Sequence, residues 1–125
     1  MNKFINLKNW LMENDNSIYD IAITLPGNIP WTTYQQELEK VKDGTNVLNF
    51  KVPNLPKYSA IGKKCYLNYK GNLIGWMKIT GFSKGSFNCN TTGKIWEGNF
   101  IQRSGPFNSI IPIPMKGFRG FKYIK

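Results

Sequence analysis

The chain has 125 residues, of which 41% are hydrophobic and 19% charged, a balance that argues against disorder and predicts one folded domain over 1–125. It carries no histidine, so the usual general base and the commonest metal ligand are missing, and we predict neither a metal nor a cofactor. No apolar run approaches the ~20 residues of a membrane span, and the N-terminus lacks a signal-peptide pattern. We therefore expect a soluble, cytoplasmic protein, with Cys65 and Cys89 as buried thiols rather than a disulfide.

Positive charge is concentrated in the later part of the chain. The formal net charge is +10, but residues 1–43 hold six of the seven acids, whereas thirteen Lys and Arg from Gly44 onward face Glu97 alone. A surface this basic attracts polyanions, and nucleic acid is the leading candidate. Acidic protein surfaces and anionic lipid are the alternative partners. The positive charge could instead serve only to keep the protein soluble.

The first half of the chain predicts two strands that flank a helix. An apolar stripe predicts a further short helix over 3–13, which could be an appendage over 1–16 outside the main domain. Thr33 with Gln36 forms a capping box that predicts the start of a helix, and Gly44 is expected to end this helix. In chain order the predicted elements are the helix over 3–13, a strand over 19–25, a loop over 26–30, a helix over 33–44 and a strand over 46–52.

The strongest pattern in the chain is a β-hairpin over 65–82. Apolar and polar residues alternate on either side of Lys70-Gly71-Asn72, which supplies turn chemistry. Both faces of the hairpin carry apolar residues, so we expect it in the middle of a curved sheet or closed barrel. Gly75 and Gly81 would let the second strand bend.

Beyond the hairpin the pattern predicts short strands separated by turns. Pro112 and Pro114 exclude the segment around them from a central position in a sheet. With six to eight short strands and one internal helix, we predict an α+β fold built on a small β-barrel. In chain order these elements are a loop over 83–86, a strand over 87–89, a turn over 91–93, strands over 94–96 and 99–103 with a bulge or bend at Gly98, an extended segment from 104, and a last strand near 121–124.

The candidate binding residues are aromatic side chains near glycine, proline or cations. Trp31, Trp76 and Trp96 stand beside Gly or Pro at strand ends or loops, although each could be an ordinary core residue. Lys116 and Arg119 flank Phe118 in a glycine-bracketed segment that could also be a solvated turn. Flat rings beside cations suit base stacking and phosphate contact.

Arg103 and Lys94 are predicted to be strand-surface cations, with contact to a ligand as the alternative. Serine-nucleophile, phosphate-loop and dinucleotide-binding motifs are absent from the sequence. Nothing in the spacing points to a catalytic residue.

The order of elements resembles the PUA-like barrel superfamily, which includes the PUA, ASCH, EVE and YTH domains. The resemblance covers 19–125 and is carried by a strand, a capped helix, Asp43-Gly44 leading into a strand that ends at Lys51, and Ile61-Gly62-Lys-Lys-Cys-Tyr leading to the hairpin with Ile74-Gly75-Trp76. It implies binding of RNA or DNA, with one flipped and often modified base held in an aromatic pocket. The residues that would line this pocket are Trp31, Tyr34, Asn46, Asn49 and Trp76.

Some ASCH members are amidohydrolases of acetylated pyrimidine nucleosides that use a lysine and a threonine just after the helix-ending glycine. This sequence has Asn46 and Val47 at those positions, and Lys51 alone matches a basic position of the pattern. The departure favours recognition over hydrolysis. A hydrolase with displaced catalytic groups would still turn over N-acylated nucleosides and lose that activity in Lys51→Ala.

Taken together, these patterns predict a non-enzymatic module that binds RNA or DNA through its cationic second half. The alternative from another class is a small inhibitor or adaptor that docks its basic face on an acidic protein. The predicted nucleic-acid-binding residues are Trp31, Tyr34, Asn46, Asn49, Lys51, Trp76, Trp96, Arg103, Lys116, Phe118 and Arg119.

Overall fold

The computed structural model of the protein describes residues 17–88, Gly93 and 95–125. Within these residues, six strands form one mixed sheet with a helix packed on it, which confirms the α+β class. The predicted helix over 3–13, Cys89 and Lys94 lie outside the described residues. The elements are β1 (Asp20–Leu25), α1 (Trp31–Val41), β2 (Leu48–Val52), β3 (Lys64–Tyr69), β4 (Asn72–Asn88), β5 (Ile95–Pro114) and β6 (Phe121–Ile124).

The strands lie in the order β2-β5-β4-β3-β1-β6, and every neighbouring pair is antiparallel except β1 with β3. The parallel pair follows from the chain path, because α1 and β2 lie between these two strands and supply the long crossover that parallel pairing needs. The predicted hairpin is confirmed as β3 and β4, in the middle of the sheet. Lys70 (φ 50°) and Gly71 (φ 82°) form its turn, both in the left-handed region that a two-residue hairpin turn requires.

The sheet does not close into a barrel. Its edge strands β2 and β6 share no ladder; instead, the segment after β2 approaches β6. The Tyr123 hydroxyl accepts hydrogen bonds from the backbone N–H groups of Lys57 and Tyr58, at 2.8 and 3.0 Å. The two edges are therefore linked through a loop and a side chain rather than through strand pairing.

The hydrophobic core lies on one face of the sheet, which we call the inner face, and α1 packs against it. Burying each aliphatic side chain completely stabilises the fold by about 1.5–3 kcal/mol. Cys65 is a buried free thiol, as expected. The residues buried in this core are Ile21, Ile23, Leu25, Val41, Val52, Cys65, Leu67, Tyr69, Met77, Ile79 and Ile101.

β4 and β5 are much longer than the sequence predicts. The predicted loop over 83–86 is wrong, because this segment continues β4 in an unbroken pairing with β5, with Gly85 opposite Gly98. From Ile95 onward, the predicted strands over 94–96 and 99–103 and the extended segment as far as Pro114 all belong to β5. Its irregularities lie elsewhere, between Ile79 and Gly81 among other places, rather than at Gly98.

Pro112 and Pro114 lie in a part of β5 that has a neighbour on one side only. β2 pairs with residues 99–103 of β5, so the later part of the strand is bonded to β4 alone. Proline is tolerated there because its missing N–H can face the unpaired side. The prediction that these prolines avoid a central position is confirmed.

α1 begins earlier than the capping box predicts. The helix starts at Trp31 after Pro30, which has φ −60° and ψ 145°, and no side chain caps it. Thr33 is already inside the helix, and its N–H donates to the Pro30 carbonyl at 3.0 Å, so the predicted cap at Thr33 is wrong. At the other end, Gly44 has φ 83° and its N–H donates to the Val41 carbonyl at 3.0 Å, which reverses the chain there. α1 is too short and too polar to cross a membrane, and it is the only helix among the described residues.

Candidate nucleic-acid interface

The predicted site residues fall in three separate places. Trp31, Tyr34 and Arg103 lie on the inner face under α1, whereas Trp76 lies on the outer face of the hairpin. Asn49 lines a groove at the far end of the sheet. The structure does not bring the predicted pocket residues together, because the sheet itself separates them.

A row of side chains crosses the outer face of four neighbouring strands. Trp76 on β4 is the cross-strand partner of Tyr66 on β3, which is level with Ala22 on β1, and Ala22 is level with Lys122 on β6. With about 4.8 Å between strands, this row spans roughly 14 Å. We call the outer surface formed by Lys64, Tyr66, Trp76, Lys78, Phe118 and Lys122 the basic face.

Lys64 and Lys78 occupy directly opposed positions of β3 and β4. Like charges placed directly opposite each other destabilise a sheet, so this pair costs the fold free energy. Asp20 lies nearby, but its Oδ1 accepts from the Lys64 backbone N–H at 2.8 Å and lies 3.7 Å from the Lys63 Nζ. The Lys64 ammonium instead lies over the Trp76 ring, 4.7 Å from its centroid. Neither ammonium of the opposed pair has a carboxylate partner among the described ion pairs.

The segment before β6 crosses the outer face near the end of β3 that lies away from Lys64, next to Asn68 and Thr24. Its path is held by Asn68, whose Nδ2 donates to the Met115 carbonyl at 2.9 Å, and by Thr24, whose Oγ1 accepts from the Phe118 N–H at 3.2 Å. The Lys122 ammonium lies 4.9 Å from the centroid of the Phe118 ring. The basic face therefore holds a second cation beside a ring.

Lys116 and Arg119 flank Phe118, and both side chains are exposed. Because the Phe118 backbone is bonded to β1, these two cations stand at the border of the basic face. Phe118 and Trp76 thus lie on the same side of the sheet, with Lys116 and Arg119 near Phe118 in the chain.

On the inner face, four rings from α1, β3 and β5 pack into one cluster. Trp31 contacts Tyr34, Tyr69 and Phe107, with ring centroids 5.9, 5.4 and 5.7 Å apart. Gly75 makes room for the Phe107 ring, which a Cβ at this position would overlap. Such ring pairs add about 0.5–1.5 kcal/mol each beyond the area they bury.

The two tyrosine hydroxyls of this cluster hold the loop before α1. The Tyr34 hydroxyl donates to the Pro26 carbonyl at 3.0 Å, and the Tyr69 hydroxyl donates to the Ile29 carbonyl at 2.6 Å. Burial raises the pKa of Tyr34 to about 12, aided by Tyr69 and opposed by Arg103. These rings are occupied in packing and in loop anchoring, and neither of the two grooves described in the structure is lined by Trp31 or Tyr34.

Arg103 was predicted as a strand-surface cation, and this prediction is wrong. It lies on β5 between Leu48 and Ile79, and its exposed fraction is 4%. Its Nε is buried without a hydrogen-bond partner, and burial lowers its pKa. The described groups that act on its charge are the Cys65 thiol and Tyr34, neither of which is a carboxylate.

A shallow groove of about 390 Å³ runs along the outer side of β2, β5 and β4. The Oδ1 of Asn49 is buried beside it without a hydrogen-bond partner. Lys51, on the same side of β2, is exposed and extends past Gly98. The groove is lined by Asn49, Ser83, Lys84, Gly85, Ser86, Phe100 and Gln102.

The remaining two predicted residues add little to a site. The backbone carbonyl of Asn46 accepts a hydrogen bond from the Ser104 hydroxyl, which ties the start of β2 to β5. Trp96 is part of β5, but its side chain lies outside the described residues. In the part of the chain that the structure describes, no group of three or more acidic or cysteine side chains could hold a metal ion.

No family model matches this sequence, and no curated protein or solved structure matches it either.

Four residues of the basic face are absent from the prediction, namely Lys64, Tyr66, Lys78 and Lys122. The sequence does contain a signal that Lys64, Tyr66 and Lys78 share one face, because they occupy alternate positions along the two strands of the predicted hairpin. The register that aligns them with Trp76 depends on an irregularity between Leu67 and Asn68, which no residue pattern announces. The position of β6 next to β1 depends on tertiary structure as well.

Proposed function

We propose that the protein binds single-stranded nucleic acid on the basic face, as a non-enzymatic module. The observation that carries the proposal is the direct opposition of Lys64 and Lys78, a pair of like charges without a carboxylate partner among the described ion pairs. A phosphate group placed between the two ammonium groups would turn their repulsion into two attractive contacts. The free energy that the pair costs the unbound fold would then be recovered on binding.

Rings beside these cations support a nucleic-acid partner over a simple anion. Trp76, Tyr66 and Phe118 are partly exposed on the same face, and every base offers a flat surface for stacking. A single strand presents its bases to such a surface, whereas a duplex keeps them stacked inside. We expect stacked bases to contribute about 1–3 kcal/mol each.

The element order also leads us to propose that the fold is an open variant of the PUA-like barrel. Support comes from the mixed sheet, the helix at one end of it and the loop that links β2 to β6. The proposed site departs from an enclosed base pocket, because the binding surface is the outer face of the sheet.

The test is a titration of a fluorescently labelled single strand, as RNA and as DNA, at two salt concentrations. We expect Lys64→Gln/Lys78→Gln to weaken binding about tenfold at low salt and to reduce the salt slope by about 0.7, the value for one phosphate of a single strand. The matched control is Lys40→Gln/Lys42→Gln, which removes the same charge from exposed positions at the end of α1.

Equal loss in both double variants would contradict a specific role of the basic face, since only net charge would then matter. The alternative function is that of an inhibitor or adaptor that binds an acidic protein. In a pull-down experiment, such a protein partner would still be captured after nuclease treatment. Capture that disappears with nuclease supports nucleic acid, and capture that persists and requires Lys64 and Lys78 favours the acidic protein.

A further inference from the structure

Arg103 carries a charge that the described structure leaves without a counter-ion. An arginine stays protonated under all ordinary conditions, so it cannot avoid the cost of burial by losing its proton. Buried charges are normally paired, and an unpaired one is strongly unfavourable. Neither ion pair of the described residues includes Arg103, and its buried Nε donates no hydrogen bond.

The surroundings of Arg103 define what kind of anion could enter. The neighbours on β2 and β4 are the apolar Leu48 and Ile79, and the nearby polar groups are the Cys65 thiol and Tyr34. Burial raises the pKa of Cys65 from 9.0 to about 12, so the thiol stays neutral and supplies no negative charge. The Tyr34 hydroxyl is already bonded to the Pro26 carbonyl.

One fixed positive charge in an apolar environment matches a monoanion. A phosphate dianion would bring more negative charge than a single guanidinium neutralises, whereas a carboxylate accepts two parallel hydrogen bonds from the guanidinium fork. The four-ring cluster of Trp31, Tyr34, Tyr69 and Phe107 lies under the same helix and would favour a planar apolar body on the ligand.

The first turn of α1 carries Trp31 and Tyr34 and forms part of the cover. It lacks a side-chain cap and carries no acidic residue that would stabilise the helix start. The other end of the helix is fixed, because the Ser104 hydroxyl is bonded to the carbonyls of Val41 and Asn46. Because Tyr34 lies near Arg103, movement of Tyr34 with this first turn would open space beside the guanidinium.

We infer that the inner face under α1 is a binding site for a small organic acid, with Arg103 pairing its carboxylate and the ring cluster contacting its apolar body. This site is independent of the basic face, from which the sheet separates it. Binding there would supply the counter-ion that the buried guanidinium lacks.

The sequence offers a direct reporter, because Arg103 and Arg119 are its only two arginines. We would follow their Nε–Hε resonances by NMR during titration with sodium benzoate at constant ionic strength. A saturable shift of the Arg103 resonance with Arg119 unchanged supports the site, since Arg119 is exposed and serves as the internal control. No shift, or equal shifts at both arginines, would overturn it.

Two further probes test the chemistry of the ligand. Benzamide has the shape of benzoate without its charge and should leave Arg103 unchanged, and inorganic phosphate should do the same. A response to phosphate equal to that with benzoate would refute the assignment of a carboxylate on an apolar body, and so would an equal response to benzamide.

As a second measurement, benzoate should raise the thermal unfolding midpoint of the wild type. The affinity of Arg103→Met for benzoate should be about tenfold or more lower than that of the wild type. An equal rise in both proteins would contradict the role of Arg103. If Arg103→Met does not fold, the resonance titration of the wild type decides the matter.

Discussion

Two faces of the same sheet place cations near aromatic rings, and they differ in what surrounds the charge. On the inner face, Arg103 is buried near a ring cluster whose hydroxyls are bonded to backbone carbonyls. On the outer face, Lys64 and Lys122 lie over the rings of Trp76 and Phe118 at the surface. Only the outer arrangement leaves several cations within reach of a polyanion.

An aromatic residue near a cation is therefore not by itself a sign of a nucleic-acid site. The rings under α1 stabilise the fold, and their single buried charge suits one small anion. The basic face spreads its lysines over three strands, β3, β4 and β6, and tolerates repulsion between Lys64 and Lys78. Access and charge density, rather than residue type, separate the two environments.

The largest expected contrast comes from neighbouring residues of β3 that face opposite sides. Leu67 is 1% exposed in the core, so Leu67→Ala should lower the free energy of unfolding by about 2–5 kcal/mol. Tyr66→Ala on the basic face should cost about 1 kcal/mol but weaken binding of a single strand. Urea unfolding and fluorescence titration of both variants measure the two effects. Similar stability losses, with binding unchanged in Tyr66→Ala, would show that both side chains serve the core.

A smaller effect concerns pH and the inner face. Cys65 keeps its proton in the folded protein up to about pH 12, whereas the unfolded chain releases it above about 9. The unfolded state then binds fewer protons, so stability falls as pH rises between these values, by about 1.4 kcal/mol per pH unit for this group.

Cys65→Ala removes this proton release, and its unfolding free energy should decline less steeply than that of the wild type between pH 9 and 11. Urea unfolding at several pH values gives both slopes. Parallel slopes would mean that the thiol is not protected by burial. The constant offset between the two proteins reports the packing lost with the sulfur and does not affect the comparison.

The smallest expected effect lies at the border of the basic face. Lys116→Ala/Arg119→Ala should weaken binding of a single strand a few-fold at low salt, because these exposed cations can reach phosphates beside the Phe118 anchor. Lys40→Ala/Lys42→Ala is the charge-matched control. Unchanged affinity in the first variant would exclude this border from the interface while leaving the Lys64–Lys78 pair in place.

Local patterns in the chain were sufficient to predict the hairpin, β1, β2, the loop over 26–30 and the last strand. They failed where pairing overrides local signals. Gly85 and Ser86 are typical of a loop, yet they extend β4 because β5 offers a partner along its whole length. The start of α1 was also missed, because Pro30 supplies a suitable backbone angle without a side-chain cap.

The position of Trp76 shows why a site is harder to predict than a strand. A two-residue turn at Lys70 and Gly71 with regular pairing would place Trp76 opposite Cys65, on the inner face. The structure has one extra residue in β4 near Ile74, so Tyr66 faces Trp76 and Cys65 faces Met77. A shift of one residue moves every following side chain to the other face of a sheet. This single irregularity separates Trp76 from Trp31 and places it among the lysines.

The amino-acid sequence by itself determined the α+β class, the central hairpin and the excess of positive charge after Gly44, because alternation, turn residues and ionisable groups are local properties. Tertiary structure alone decided that Arg103 is buried and that Trp76 lies beside Lys64 on the outer face. The physical reason is that the side a residue faces depends on strand register and on the neighbouring strand, and both are set by pairing between distant parts of the chain.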